Sequence, residues 1–214
     1  MISSTFTPNR LSFSAKRLHL PDKYIQSFIE LNPTNKAEII EMCEPGDIVA
    51  FVGKGLKALV VKAATKSKIN HVELVLTNRE CMGSERIGAL TVWKKELSDV
   101  FGDLSTDYKA AYICKLKPEI RKELLSKSLE FKTTLNKLAQ TPFETFRNCI
   151  KLGMNCLLDF PKISENPKRL NCAGLIGSFL KEMKIIPPQT NVSLLTPRDI
   201  FDLDIFEKKI KIKT

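Results

Sequence analysis

Apolar and polar positions along the chain follow two periods, and each change of period marks an element. Residues 47–52, within "CEPGDIVAFVGKG", form a compact apolar run behind a Pro-Gly-Asp turn, which predicts a strand. "LKALVVKAATKS" then places apolar residues at 56, 59, 60, 63 and 64, a helical spacing with lysines on the other face. "HVELVL" (71–76), "ALTV" (89–92) and "AAYICKL" (110–116) predict further strands. "KPEIRKELLSKSLEFKTTLNKLA" predicts a long amphipathic helix over about 117–139, with Pro118 in its first turn. "TPFETF" breaks that pattern, "FRNCIKLGMNCLLDF" resumes it, and "PKISENPKR" reads as a loop. "NCAGLIGSFLKEM" is a helix with apolar positions 172, 175, 176, 179, 180 and 183, and "LLTPRDIFDL" follows it. Residues 1–40 carry turn signals around a short helical pattern near "DKYIQSFIEL". Strands early and helices late predict an α+β fold, a small antiparallel sheet packed against helices. The expected division is an extension over 1–43, a main domain over 44–204 and a basic tail over 205–214.

A length of 214 residues suffices for one domain with a substantial core. No apolar run approaches the roughly 20 residues that cross a bilayer. "MISSTFTPNRLSFSAKRLHL" lacks the apolar core of a secretion signal, so a cytoplasmic setting with reduced thiols is expected. Six cysteines (43, 81, 114, 149, 156 and 172) show no CxxC pair, and His19 and His71 are the only histidines. That supply argues against a zinc site, and no cofactor or metal is expected. A net charge of +10 favours anionic partners such as phospholipid headgroups, and peripheral contact with an anionic membrane is one expectation. Aromatic residues fall mostly on the apolar stripes, which speaks against a specific nucleic-acid partner. "GKGLK" (53–57) lacks the spacing of a phosphate loop.

The candidate chemistry centres on "RLNCAGLIGSF". Cys172 lies in the first turn of its helix, behind Asn171 as N-cap. There the helix dipole and unpaired backbone N–H groups favour a thiolate, and the same groups can stabilise an oxyanion. A cysteine nucleophile also needs a base, usually histidine, with a third group to orient the ring. His71 opens an apolar strand behind a polar turn, whereas His19 has no comparable context. The five other cysteines sit in or beside apolar segments and read as structural.

"PGDIVAFVGKGLKALVVKAATKSKINHVELVL" resembles the opening of the circularly permuted, NlpC-type branch of the papain-like superfamily. "LNCAGLIGSFL" is similar to that branch's late Cys helix. "TPFE" resembles its Gly-x-Pro-Tyr turn, "IGALTVWKKEL" its Gly-Val strand, and "LLTPRDIFDL" its Thr-Pro-x-Asp-Leu stretch. The resemblance runs from about residue 44 to 204 and is nearest to YiiX-like and poxviral members, with lecithin:retinol acyltransferase-like proteins more distant.

The resemblance implies a permuted papain-like fold in which Cys172 is the nucleophile and His71 the general base. It also implies a third residue on the strand after the histidine, for which Glu85 is favoured; Ser84 takes the place if the register slips, and Gly83 would leave it empty. Two positions depart from the pattern. Glu73 stands where the branch usually has a small residue, either as a solvated carboxylate or on the same strand face as His71. Phe143 replaces a common Tyr, removing a hydroxyl available for substrate contact, and Asn171 is an oxyanion candidate. The expected function is a cysteine hydrolase forming an acyl-enzyme on an amide, ester or thioester, with a peptide, lipid or acylated substrate. A phospholipid acyltransferase or phospholipase of the same fold, and an inactive binding module, are the alternatives.

Overall fold

The computed structural model of the chain describes residues 25–32, 34–83, 93–102, 104–127, 133 and 171–213. Its strands are β1 (Ile25–Glu30), β2 (Ile48–Gly53), β3 (His71–Val75), β4 (Glu80–Gly83), β5 (Trp93–Glu96), β6 (Tyr108–Leu116) and β7 (Phe206–Lys213). The helices are α1 (Lys36–Glu41), α2 (Gly55–Thr65), α3 (Leu97–Gly102), α4 (Leu104–Asp107), α5 (Pro118–Ser126), α6 (Cys172–Glu182) and α7 (Pro197–Phe201). The fold is α+β. One seven-stranded sheet runs in the order β1-β7-β6-β2-β3-β4-β5. Every neighbouring pair is antiparallel except β1 and β7, which are parallel.

Two expectations about the ends of the chain are corrected here. Ile25–Glu30, inside the stretch with a helical pattern, is a strand, and Phe206–Lys213 is an interior strand of the sheet rather than a tail. "FEKKIKIK" alternates polar and apolar residues, a period of two that hides under its lysine content. Ile210 and Ile212 are buried in the core, and Lys209, Lys211 and Lys213, which alternate with them, take the other face. The sheet is therefore larger than expected and mixed rather than wholly antiparallel.

β2 explains its own continuous apolar run. Ile48, Val49, Ala50 and Phe51 are all fully buried because both faces of this central strand are covered. Ile48 and Ala50 join Val72, Leu74, Tyr112 and Leu175 in the core beneath α6 and α7. Val49 and Phe51 join Val75, Phe101 and Ile113 in the core beneath α1 and α3. The stripe of α2 behaves differently: Leu56, Leu59 and Ala63 are exposed, while Ala58 and Thr65 are buried.

The Pro-Gly-Asp turn is a joint. Gly46 has φ +90°, and a Cβ there would stand 2.8 Å from the Leu116 side chain, so both conformation and space demand glycine. Asp47 is fully buried and accepts four hydrogen bonds. Oδ1 takes the Leu116 N–H at 3.0 Å and the Arg121 guanidinium at 2.6 Å. Oδ2 takes Lys115 at 2.7 Å and the Glu44 N–H at 2.9 Å. This carboxylate ties the start of β2 to the end of β6 and to α5.

The segments 84–92 and 128–132, and those from 134 to 170, lie outside the described residues, and so do "ALTV", the end of the long predicted helix, "TPFETF" and "FRNCIKLGMNCLLDF". Among the described residues, no helix is long and apolar enough to cross a membrane.

Candidate active site

His71 is the first residue of β3 and pairs with Phe51 across β2. Its ring lies 5.5 Å from the Phe51 ring, which in turn lies 4.5 Å from Tyr108, so one wall of the site is aromatic. The strand is brought into register by the residue before it. Asn70 Oδ1 accepts from Gly53 N–H at 2.6 Å, and a Cβ at Gly53 would meet Asn70 Nδ2 at 2.4 Å. The glycine opens the room for that clasp.

Cys172 is the first residue of α6 and stands close enough to His71 to act on its ionisation. His71 Nε2 lies 3.2 Å from Glu73 Oε1. Burial alone would lower the His71 pKa. The attraction and hydrogen bond of Cys172, followed by those of Glu73, outweigh it and hold the imidazole well above its usual 6.5. His71 therefore keeps its proton to higher pH than a free histidine does.

Glu73 is almost fully buried. Residues i and i+2 on a strand share a face, so its carboxylate reaches back along β3 to the ring. Space for it comes from the next strand: a Cβ at Gly83 would lie 2.9 Å from Glu73 Cγ and 3.2 Å from Oε1. The second oxygen, Oε2, accepts the Cys81 S–H at 2.9 Å. Burial first, then the charge and hydrogen bond of Glu73, push the Cys81 thiol far above its usual range, so it stays protonated and donates.

The N-terminus of α6 is built by Asn171. Oδ1 accepts the Gly174 N–H at 2.6 Å, and Nδ2 donates to the Leu195 carbonyl at 3.2 Å. The Leu175 N–H bonds the Asn171 carbonyl in the helical manner. Helix geometry gives the first-turn N–H groups of Cys172 and Ala173 no carbonyl partner within the helix. Asn171, expected as an oxyanion candidate, has its carboxamide engaged at both ends and serves as cap and tether.

α6 is pressed onto its support. At Gly177 a Cβ would stand 2.3 Å from the Leu195 side chain, so glycine lets the 192–195 turn close on the helix. That turn leads into a capping box in which Thr196 and Asp199 bond reciprocally, the physical content of "TPRD".

The structure brings Cys172, His71 and Glu73 together. Glu85, Ser84 and Phe143 lie outside the described residues. The contact of Cys81 with Glu73 was not anticipated, and its thiol is more than inert packing. The other described thiols are buried and protonated: burial, then the charge of Asp47, pushes Cys43 up to about 12, and burial raises Cys114. Among the described residues, no group of three or more His, Cys, Asp or Glu is placed to hold a metal ion. No family model and no curated protein matches the chain.

Proposed function

We propose that this chain is a cysteine hydrolase of the permuted papain-like, NlpC-type class. The observation that carries the reading is the buried line Cys172–His71–Glu73, drawn from a helix N-terminus and one strand. The Cys172 sulfur attacks the carbonyl carbon of an amide, ester or thioester. The oxyanion that forms is held by first-turn N–H groups of α6. Collapse breaks the bond to the leaving group, which takes its proton from the His71 imidazolium. The now neutral His71 takes a proton from water as it attacks the thioester, and the acid and the free sulfur are released. Glu73 orients the ring and stabilises its charge throughout. A lipid or lipidated substrate in the cytoplasm fits the basic composition best.

One observation favours a second reading, a binding module that keeps the triad without turning over. Cys172 and His71 are only 8% and 7% exposed. Alkylation by iodoacetamide at neutral pH decides between the two, with the modified cysteine located by peptide mass. Rapid modification at Cys172, slowed at least about tenfold in His71→Ala, supports the hydrolase, because the thiolate is the reacting species. Slow modification that ignores the substitution leaves the binding module.

A further inference from the structure

A second concave site opens on the sheet near the triad. It is a cleft of about 310 Å³ lined by Val52, Lys68, Lys109, Ala110, Tyr112, Lys211 and Lys213. Four of the seven lining residues are lysines and none is acidic. The cleft is assembled from distant parts of the chain: the ends of β2 and β6, the turn before His71, and the lysine face of β7.

The cationic character is built in. Lys211 Nζ sits 5.7 Å from the centre of the Tyr112 ring, and Lys213 Nζ 4.4 Å from that of Phe28. Aromatic faces hold an ammonium in place without neutralising it. Among the described residues, Lys68, Lys211 and Lys213 form no ion pair with a carboxylate. Like charges gathered around one space raise the local positive potential, and an anion entering the cleft relieves it.

The position ties the cleft to the triad. Tyr112 belongs to the same core cluster as Cys172 and Ala173, and Val52 packs against that cluster. Val52 follows Phe51, the cross-strand neighbour of His71, and Lys68 stands three residues before His71. The cleft and Cys172 therefore adjoin one core cluster, although no residue of the triad lines the cleft.

We propose that this cleft binds a phosphate monoester or diphosphate group, and that this group is the anchor of the acyl substrate. The second half of the statement rests on the hydrolase reading; the first does not. Several compact ammonium groups around one small space suit an anion with more than one charge and several acceptor oxygens. A nucleic-acid strand fits less well. Tyr112, the only aromatic among the described residues lining the cleft, is 7% exposed and packs against Phe201 at 5.2 Å and Lys211, so it offers little surface for a base to stack on.

The test uses the full chain carrying Cys172→Ala, so that no turnover interferes. Binding of pyrophosphate is measured by calorimetry at constant ionic strength of about 0.1 M, where screening is comparable between samples. The comparison is with Lys68→Gln/Lys211→Gln in the same background and with Lys94→Gln on the opposite edge of the sheet. Thermal unfolding of each variant shows that it is folded. A second arm measures co-sedimentation with phosphatidylcholine vesicles containing phosphatidic acid, against vesicles matched in charge with phosphatidylserine. The expected result is pyrophosphate binding that falls at least tenfold in the double variant and is unchanged in Lys94→Gln. Cleft-dependent binding of pyrophosphate identifies a soluble ester as a sufficient ligand. Cleft-dependent preference for phosphatidic acid vesicles without pyrophosphate binding identifies a lipid headgroup. Binding to neither, or binding indifferent to Lys68 and Lys211, overturns the proposal. If the cleft binds but Cys172 fails the alkylation test, the phosphate site stands and the hydrolase reading falls.

Discussion

Glu73 and Gly83 face each other across β3 and β4, where the register pairs Leu74 with Met82 and Val75 with Cys81. In the resembled branch the small residue follows the histidine and the carboxylate comes from the next strand. Here the carboxylate follows the histidine, and the glycine gives it room. The carboxylate at Glu73 and the empty place at Gly83 are one exchange seen from both sides. Glu85 lies outside the described residues; read as a cross-strand pair, Glu73 and Gly83 account for the carboxylate that stands beside His71. Transposing them tests the idea. Glu73→Gly is expected to slow Cys172 alkylation, and Glu73→Gly/Gly83→Glu to recover part of the loss, measured as the second-order rate with iodoacetamide. The charge state is checked separately. With two histidines in the chain, the His71 proton resonance can be followed through a pH titration. Its midpoint is expected above 6.5 in the wild type. It should fall in Glu73→Gln and fall further in Cys172→Ala, because Cys172 is the larger of the two raising causes. A histidine raised in the folded state stabilises the fold fully below its unfolded value near 6.5. That contribution disappears as pH climbs through the folded value.

At the scale of elements, short motifs mark joints whose partners lie far along the chain. "PGD" was legible as a turn because glycine and proline punctuate structure locally. That Asp47 holds Lys115 and Arg121 was not legible, because those partners lie 68 and 74 residues away. Asp47→Ala leaves Lys115 and Arg121 with only the half-exposed Glu44 as counter-charge and the Leu116 N–H without its acceptor, and a loss of about 3 kcal/mol is expected by urea unfolding. Asn171→Ala removes both the cap of α6 and the partner of the Leu195 carbonyl. It is expected to cost about 1–2 kcal/mol and to slow Cys172 alkylation as the helix start loosens. The strands of β2, β3 and β6 and the helix α6 were readable from period alone. β1 was not, since six residues of mixed polarity carry little periodic signal and take their conformation from β7.

For the whole molecule, the sheet order places β7 between β1 and β6. The basic stretch read as an appendage is thus a spine of the sheet, and it also supplies Lys211 and Lys213 to the cleft. Composition misled here because lysine content hid an alternating strand. Removing residues 206–213 strips β6 and β1 of their shared neighbour. The shortened chain is expected to be insoluble or to lose cooperative unfolding, as read by circular dichroism on the soluble fraction. The same placement has a consequence in time. β7 follows β6 by roughly ninety residues, which at synthesis rates of about 5–20 residues per second amounts to roughly 5–20 s on the ribosome. During that interval the nine-residue β6 offers an open hydrogen-bonding edge. Nascent chains are then exposed to pairing with one another, and holding that edge apart until β7 arrives becomes a task for cellular chaperones.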